Sequence, residues 1–102
     1  MVMEVGDANF ESETSEGVVV VDFFAEWCGP CRMLAPVLEK LTGAKVVKVD
    51  CDKNHGLARK FNVFSIPKVV IMKDGEQVSE FTGIQAESTL QTAINEASNP
   101  QE

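Results

Sequence analysis

The stretch Val18–Phe24 constrains the fold of this chain most, because six of its seven residues are apolar. Apolar side chains on both faces of a strand are typical of a central strand that other layers cover on two sides. The one polar residue is Asp22, and burying an unpaired carboxylate costs free energy. The strand runs on toward Pro30, whose ring favours the first turn of a helix. A buried strand that passes directly into a helix predicts an α/β domain.

Strands and helices alternate along the rest of the chain and end in a hairpin and a last helix. The apolar patterns predict further strands at Met1–Val5, Val46–Asp50, Pro67–Met72 and Gln77–Phe81. They predict a first helix at Ala8–Ser12, capped by Asp7, and a second from Pro30 to Gly43 with a kink at Pro36. Two further helices are predicted, one that begins after a capping Asn54 and one at Ala86–Ala97. The dipeptide Asp74-Gly75 predicts the tight turn of the hairpin. This order predicts one domain over residues 1–102, with a mixed sheet and a frayed tail at Ser98–Glu102.

The charge balance and the cysteine count exclude several classes of protein. The chain has 9 Lys and Arg against 16 Asp and Glu, a formal charge of −7, which disfavours binding to nucleic acid or to anionic membranes. Its longest apolar run is too short to span a bilayer, and Met1–Glu4 contains no basic region of an export signal. Three cysteines cannot all pair, which argues against a disulfide-stapled secreted scaffold. We therefore expect a cytoplasmic protein, where a close cysteine pair is more often catalytic or metal-binding than structural.

Cys28 and Cys31 have the C-x-x-C spacing that occurs in redox proteins, zinc sites and haem attachment. No histidine follows Cys31, which argues against haem. Cys28 is predicted at the N-terminus of a helix, where free N–H groups and the helix dipole favour a thiolate. Cys28 is therefore the predicted nucleophile, and Cys31, one turn further along and more shielded, is the predicted resolving thiol. The alternative is a zinc site that Cys51 and His55 complete.

The two residues between the cysteines are predicted to tune the redox couple. Gly29 places no side chain over the sulfur, so a substrate approaches freely. Pro30 has no N–H with which to stabilise the Cys28 thiolate. A less stable thiolate makes the reduced form less stable, and therefore a better reductant.

Four segments, in the same order along nearly the whole chain, resemble the thioredoxin family: Val21–Pro36 with its Trp-Cys-Gly-Pro-Cys motif, Ile66-Pro67, Lys73–Gly75 and Phe81–Gly83. The resemblance implies the thioredoxin fold, an α/β fold with a central mixed five-stranded sheet flanked by about four helices. It also implies an enzyme, a protein-disulfide reductase that works as a monomer without a bound cofactor. Its electrons are then expected from a thioredoxin reductase, a flavoprotein that uses NADPH, and its substrates are disulfide-containing proteins.

For individual residues the resemblance implies more specific roles. Asp22 is expected to exchange a proton with Cys31, and Lys48 matches the family's lysine on the neighbouring strand. A buried ion pair between Asp22 and Lys48 is the structural alternative. Pro67 is expected to follow a cis bond, so that the backbone of Ile66 faces the cysteines and pairs with an extended substrate. The alternative for Pro67 is an ordinary proline at the start of a strand.

An apolar patch around Cys28 is expected to bind protein substrates. Its expected members are Trp27, Gly29, Pro30, Ile66, Gly83 and Ile84, with a core position as the alternative for Ile84. Phe24, Ser65 and Lys68 depart from the family's usual residues without touching the redox chemistry. Ser65 and Lys68 are nevertheless expected to border the substrate groove.

Two other functions remain open on the sequence alone. The fold could serve an oxidase or isomerase, which the missing export signal and the Gly29-Pro30 pair disfavour. Alternatively the domain is a protein-binding module whose thiols are incidental, and replacing both cysteines would then leave its function intact. Outside the pair, Cys51 is expected to be a half-buried structural thiol and His55 a solvated helix residue.

Overall fold

Residues 2–99 are described by a computed structural model, and their five strands form one mixed sheet. In chain order the elements are β1 (Val2–Val5), α1 (Phe10–Thr14), β2 (Val18–Phe24), α2 (Gly29–Glu39), β3 (Lys45–Asp50), α3 (His55–Lys60), β4 (Lys68–Lys73), β5 (Glu76–Thr82) and α4 (Glu87–Ser98). The strand order is β1-β3-β2-β4-β5. β3 is parallel to both of its neighbours, whereas the pairs β2–β4 and β4–β5 are antiparallel. The predicted α/β class and mixed five-stranded sheet are confirmed.

β2 lies at the centre of the sheet and is buried on both faces, as its sequence predicts. Val19, Val21 and Phe23 pack in one cluster with side chains of α1 and α3. Val20 points to the opposite face, where α2 and α4 cover it. Each fully buried side chain of this kind stabilises the fold by about 1.5–3 kcal/mol. The strand end from which the cysteine loop departs is therefore firmly anchored.

The first helix covers Phe10–Thr14 instead of the predicted Ala8–Ser12, and Asp7 does not cap it. The side-chain oxygen of Asn9 accepts a hydrogen bond from the N–H of Gly6 at 2.9 Å. The N–H of Asp7 donates to Asn54 Oδ1, also at 2.9 Å. These bonds fix a turn ahead of the helix, so the helix begins only after it. Asn54 itself precedes α3 as predicted, but its side chain forms no cap there.

The second helix ends at Glu39 rather than at Gly43, and Pro36 lies within it. The N–H groups of Lys40 and Leu41 bond to carbonyls three residues earlier, at 3.1 and 3.3 Å. That tighter geometry commonly closes an α-helix. Leu41 still packs into the core from beyond the helix. It therefore continues the apolar pattern of α2 although it lies outside that helix, which is why the helix was predicted too long. Gly43 follows in the loop with a φ of +81°.

The hairpin is confirmed at Asp74-Gly75, whose φ angles of 50° and 88° fit a tight type I′ turn. The strands β4 and β5 lie within one residue of their predicted bounds. α4 continues through Ser98, the first residue of the predicted frayed tail. Met1, where the first strand was predicted to begin, and residues 100–102 of that tail lie outside the described residues.

Candidate active site

Cys28 and Cys31 form a disulfide at the start of α2, with their Cα atoms 5.3 Å apart. Cys28 is the N-cap residue, and its backbone is extended, with φ −88° and ψ 110°. Its Sγ accepts a hydrogen bond from the N–H of Cys31 at 3.2 Å. That N–H is one of the donors that a helix leaves unpaired at its N-terminus. The two-residue spacing thus places one sulfur at the cap and the other in the first turn, within bonding reach.

As whole residues the two cysteines are almost equally buried, so the greater shielding predicted for Cys31 is not observed. Cys28 is 4% exposed and Cys31 is 5% exposed. They differ in the cavity that each one lines. Cys28 lies on the wall of an open groove of about 500 Å³, whereas Cys31 lines a smaller cavity of about 150 Å³, the Asp22 cavity, which also reaches the exposed residues Glu26 and Arg32. A partner in the larger groove therefore meets Cys28, while Cys31 shares the smaller cavity with Asp22 and Lys48.

The open groove, which we call the Cys28 groove, is mainly apolar. It is lined by Trp27, Cys28, Gly29, Pro30, Cys51, Ala58, Val63, Phe64, Ser65 and Ile66. Trp27 is largely exposed, and its indole Nε1 donates a 2.8 Å hydrogen bond to Asp52 Oδ2. Four of the six predicted patch residues, together with the predicted neighbour Ser65, thus lie around Cys28.

Gly83 and Ile84, the other two predicted patch residues, do not line the Cys28 groove. The N–H of Gly83 donates to the carbonyl of Pro67 at 2.8 Å, which places this turn beside the proline. Ile84 is half-exposed, so the alternative of a core position is wrong. The Ile66–Pro67 bond is cis, as the resemblance implied. The carbonyl oxygen of Ile66 lies 4.0 Å from Cys28 Sγ.

The sequence prediction missed several wall residues of the groove, of which Phe64 is the most prominent. Its side chain is 92% exposed. An available signal was that Phe64 is a large apolar residue in a loop and fits no helical or strand period. Cys51 was expected to be half-buried, which is confirmed, but its place on the groove wall was not foreseen. Burial raises the pKa of the Cys51 thiol to about 11, with a further contribution from Asp50 and Asp52.

Asp22 is buried and lines the smaller cavity together with Cys31. Its Oδ1 accepts no hydrogen bond from residues 2–99. Burial raises the pKa of Asp22 to about 7, against a smaller lowering by the charge of Lys48. Lys48 is the neighbour of Asp22 in the β2–β3 register, but its ammonium lies over the ring of Phe24, 5.1 Å from the centroid. Within the described residues the two side chains form no ion pair.

Lys68 does not border the groove, contrary to prediction. The side chain is buried, and its ammonium donates to the carbonyl oxygens of Phe61 at 2.9 Å and Asn62 at 3.3 Å. Glu80 Oε1 on β5 lies 2.6 Å from the same ammonium. Cations are favourable at the carbonyl end of a helix. Lys68 therefore anchors the end of α3 to the sheet.

Replacing Lys68 with methionine should lower the free energy of unfolding by about 1–3 kcal/mol, because the carbonyl of Phe61 loses its buried donor. Urea denaturation measures the change. Lys53→Met is the matched control, since Lys53 is exposed and lies 3.9 Å from Glu4. Such a surface pair contributes about 1 kcal/mol at most. Equal losses in the two variants would contradict the anchoring role.

The zinc alternative required Cys51 and His55 to join the cysteine pair. Across residues 2–99, no three His, Cys, Asp or Glu side chains are grouped as metal ligands. His55 is exposed on α3, as expected. The four residues are thus not brought together as a metal site.

The disulfide presents one sulfur to an open apolar groove, and its other cysteine shares a cavity with a buried carboxyl group. This arrangement suits thiol–disulfide exchange with the sulfurs of a partner. The fold and the site define a thiol–disulfide oxidoreductase. The family model described as Thioredoxin matches residues 1–96. The chain belongs to the thioredoxin family, whose named members are protein-disulfide oxidoreductases.

Individual relatives agree with this assignment. The chain is 49% identical over 100 residues to a thioredoxin of Listeria monocytogenes, covering 93% of this chain and 97% of that protein. It is 46% identical over 99 residues to a thioredoxin of Bacillus subtilis, covering 92% and 95%. The solved structure of a mutant thioredoxin from Halobacterium salinarum NRC-1 superposes with a TM-score of 0.90 at 38% identity, covering 99% of this chain and 94% of that one. None of the helices within residues 2–99 has the length and apolarity to cross a membrane.

Proposed function

We propose that this chain reduces disulfides of protein substrates, with Cys28 as nucleophile and Cys31 as resolving thiol. The observation that carries the assignment is the division of the site into two cavities with different linings. Cys28 lines the larger, mainly apolar groove, and Cys31 shares the smaller cavity with Asp22. The exchange needs no bound cofactor, because the two sulfurs carry both electrons.

In the first step the Cys28 thiolate attacks one sulfur of the substrate disulfide. A bond forms between Cys28 Sγ and that sulfur, the substrate S–S bond breaks, and the other substrate sulfur leaves as a thiolate. The N–H of Cys31 and the N-terminus of α2 favour the charged form of Cys28. The carbonyl of Ile66, close to Cys28 Sγ, can accept a backbone hydrogen bond from an extended substrate.

In the second step Cys31 loses its proton and attacks Cys28 Sγ. The mixed disulfide breaks, the Cys28–Cys31 disulfide forms, and the substrate leaves as a second thiolate. Asp22 is the proton acceptor in this proposal, since its pKa of about 7 is suited to a base at neutral pH. The Asp22 cavity of about 150 Å³ has room for water, at about 30 Å³ per molecule, through which the proton can pass. Lys48 on the same cavity wall favours the ionised form of Asp22, which is the form that can accept the proton.

The oxidised chain then needs an external electron donor. We propose a thioredoxin reductase, a flavoprotein that draws its electrons from NADPH, and a monomeric chain that works in the cytoplasm. The family membership supports the reductase, and the formal charge of −7 is consistent with protein partners rather than nucleic acid.

A coupled assay tests this function directly. NADPH, a bacterial thioredoxin reductase, a disulfide-containing protein and this chain are combined, and NADPH oxidation is followed by absorbance. We expect oxidation that depends on all four components and disappears when Cys28 and Cys31 are both replaced by serine. Wild-type protein that, after chemical reduction, reacts with no protein disulfide would contradict the proposed function.

A further inference from the structure

Phe64 is unusual among the groove residues because almost its entire side chain contacts solvent. Removing a phenyl side chain from water is worth about 1.5–3 kcal/mol. That free energy is not used within the described part of the chain. It becomes available when another molecule covers the ring.

The loop that carries Phe64 is well anchored at its start. Asn62 has a left-handed backbone with φ 56°. Its N–H donates to the carbonyl of Arg59 at 3.1 Å, and the N–H of Val63 donates to the carbonyl of Ala58 at 2.9 Å. This pair of bonds is the Schellman motif that ends many helices. Lys68 adds its own bonds to the same turn. Phe64 is thus presented from a fixed backbone, which lowers the entropy lost on binding.

Any substrate of the proposed exchange must bring a sulfur atom to Cys28 Sγ. Phe64 and Trp27 line the same groove as that sulfur. The polypeptide next to the attacked cysteine can therefore contact these two aromatic side chains. The carboxylate of Asp52, which accepts the hydrogen bond of the Trp27 indole, adds negative charge next to Trp27. An apolar neighbour of the attacked cysteine gains from this surface, whereas an acidic neighbour is repelled and gains nothing from the phenyl ring.

We propose that Phe64 is a specificity-determining residue that selects substrate segments with an apolar or aromatic side chain adjacent to the attacked cysteine. The proposal rests on the proposed function, since it assigns a substrate preference to the same groove. It predicts that Phe64 affects the rate with such segments and leaves the reactivity of Cys28 unchanged.

Two peptide disulfides of equal length test the preference, one with leucine and one with aspartate beside the cysteine. The chemically reduced chain is mixed with each peptide, and the rate constant of its oxidation is measured by acid quench and thiol quantification. For Phe64→Ala we expect about a tenfold loss with the leucine peptide and little change with the aspartate peptide. Bis(2-hydroxyethyl) disulfide, which has no side chain to bind, should react at the wild-type rate.

Two further variants serve as controls. Phe64→Leu keeps an apolar surface and should restore most of the rate with the leucine peptide. Val78→Ala removes another exposed apolar side chain, on β5 and outside the Cys28 groove, and should change none of the rates. Equal slowing of both peptides in Phe64→Ala, no slowing of either, or a slower reaction with bis(2-hydroxyethyl) disulfide would overturn the specificity role. Failure of the wild-type chain to react with any disulfide would instead overturn the proposed function.

Discussion

Replacing Cys31 with serine should turn this chain into a covalent trap for its substrates. Cys28 keeps its place at the N-cap of α2 and still attacks the substrate disulfide. A serine hydroxyl does not attack the resulting mixed disulfide, so the substrate stays bound to Cys28. We expect turnover to fall by about 10³-fold or more. Electrophoresis without reductant, followed by mass spectrometry of the shifted band, identifies the trapped cysteine.

The matched control for the trap is Cys28→Ser, which should neither turn over nor accumulate an adduct. Cys51 lines the same groove but should not replace the missing thiol, because burial raises its pKa to about 11 and leaves it protonated at neutral pH. A Cys31→Ser variant that also carries Cys51→Ala should therefore trap as well as the single variant. Adducts found on Cys51, or their absence from Cys28, would contradict the assigned roles.

The sequence predicted the elements of the fold better than their ends. Val18–Phe24 is apolar on both faces, and only a central position in the sheet buries both. The ends of α1 and α2 depend on contacts that a local pattern does not contain. Asn54, far along the chain, accepts a bond from Asp7 before α1. Leu41 fills the core from outside α2.

The parts of the site that belong to a sequence motif could be predicted, whereas the orientation of a single side chain could not. The roles of the cysteine pair and of Pro67 were predictable because the residues next to them resemble a family's motifs. Lys68 directly follows Pro67, so it was expected at the groove, but the carbonyls of Phe61 and Asn62 and the carboxylate of Glu80 draw its ammonium inward. A lysine placed there has buried partners that its neighbours in sequence do not reveal.

Asp22→Asn should make the oxidised protein more stable at alkaline pH, with little difference in acid. In the folded protein burial raises the pKa of Asp22 from 3.8 to about 7. Below about pH 4 the carboxyl group is protonated in both states, so it adds no pH dependence. Between about pH 4 and 7 the unfolded chain releases the proton and the folded chain holds it, so wild-type stability falls as pH rises. The complete loss is about 4 kcal/mol, at about 1.4 kcal/mol per pKa unit.

Urea denaturation of oxidised wild type and Asp22→Asn from about pH 4 to 9 measures this difference. The gap between the two proteins should widen up to about pH 7 and stay constant above it. Asp7→Asn is the control, because Asp7 is exposed and should show no such widening. A gap that does not change with pH would show that Asp22 titrates as an ordinary aspartate in the folded state.

The same variant tests the chemical role of Asp22 separately from the destabilisation that its buried charge causes. An asparagine cannot accept the proton of Cys31, so release of a preformed mixed disulfide should slow by about 10²-fold at neutral pH. The first attack by Cys28 should keep nearly its wild-type rate, because Cys28 faces the open groove and not the cavity of Asp22. Quenched-flow measurement of the two steps distinguishes them. If both steps slow equally, Asp22 acts on the whole site and not as the base for Cys31.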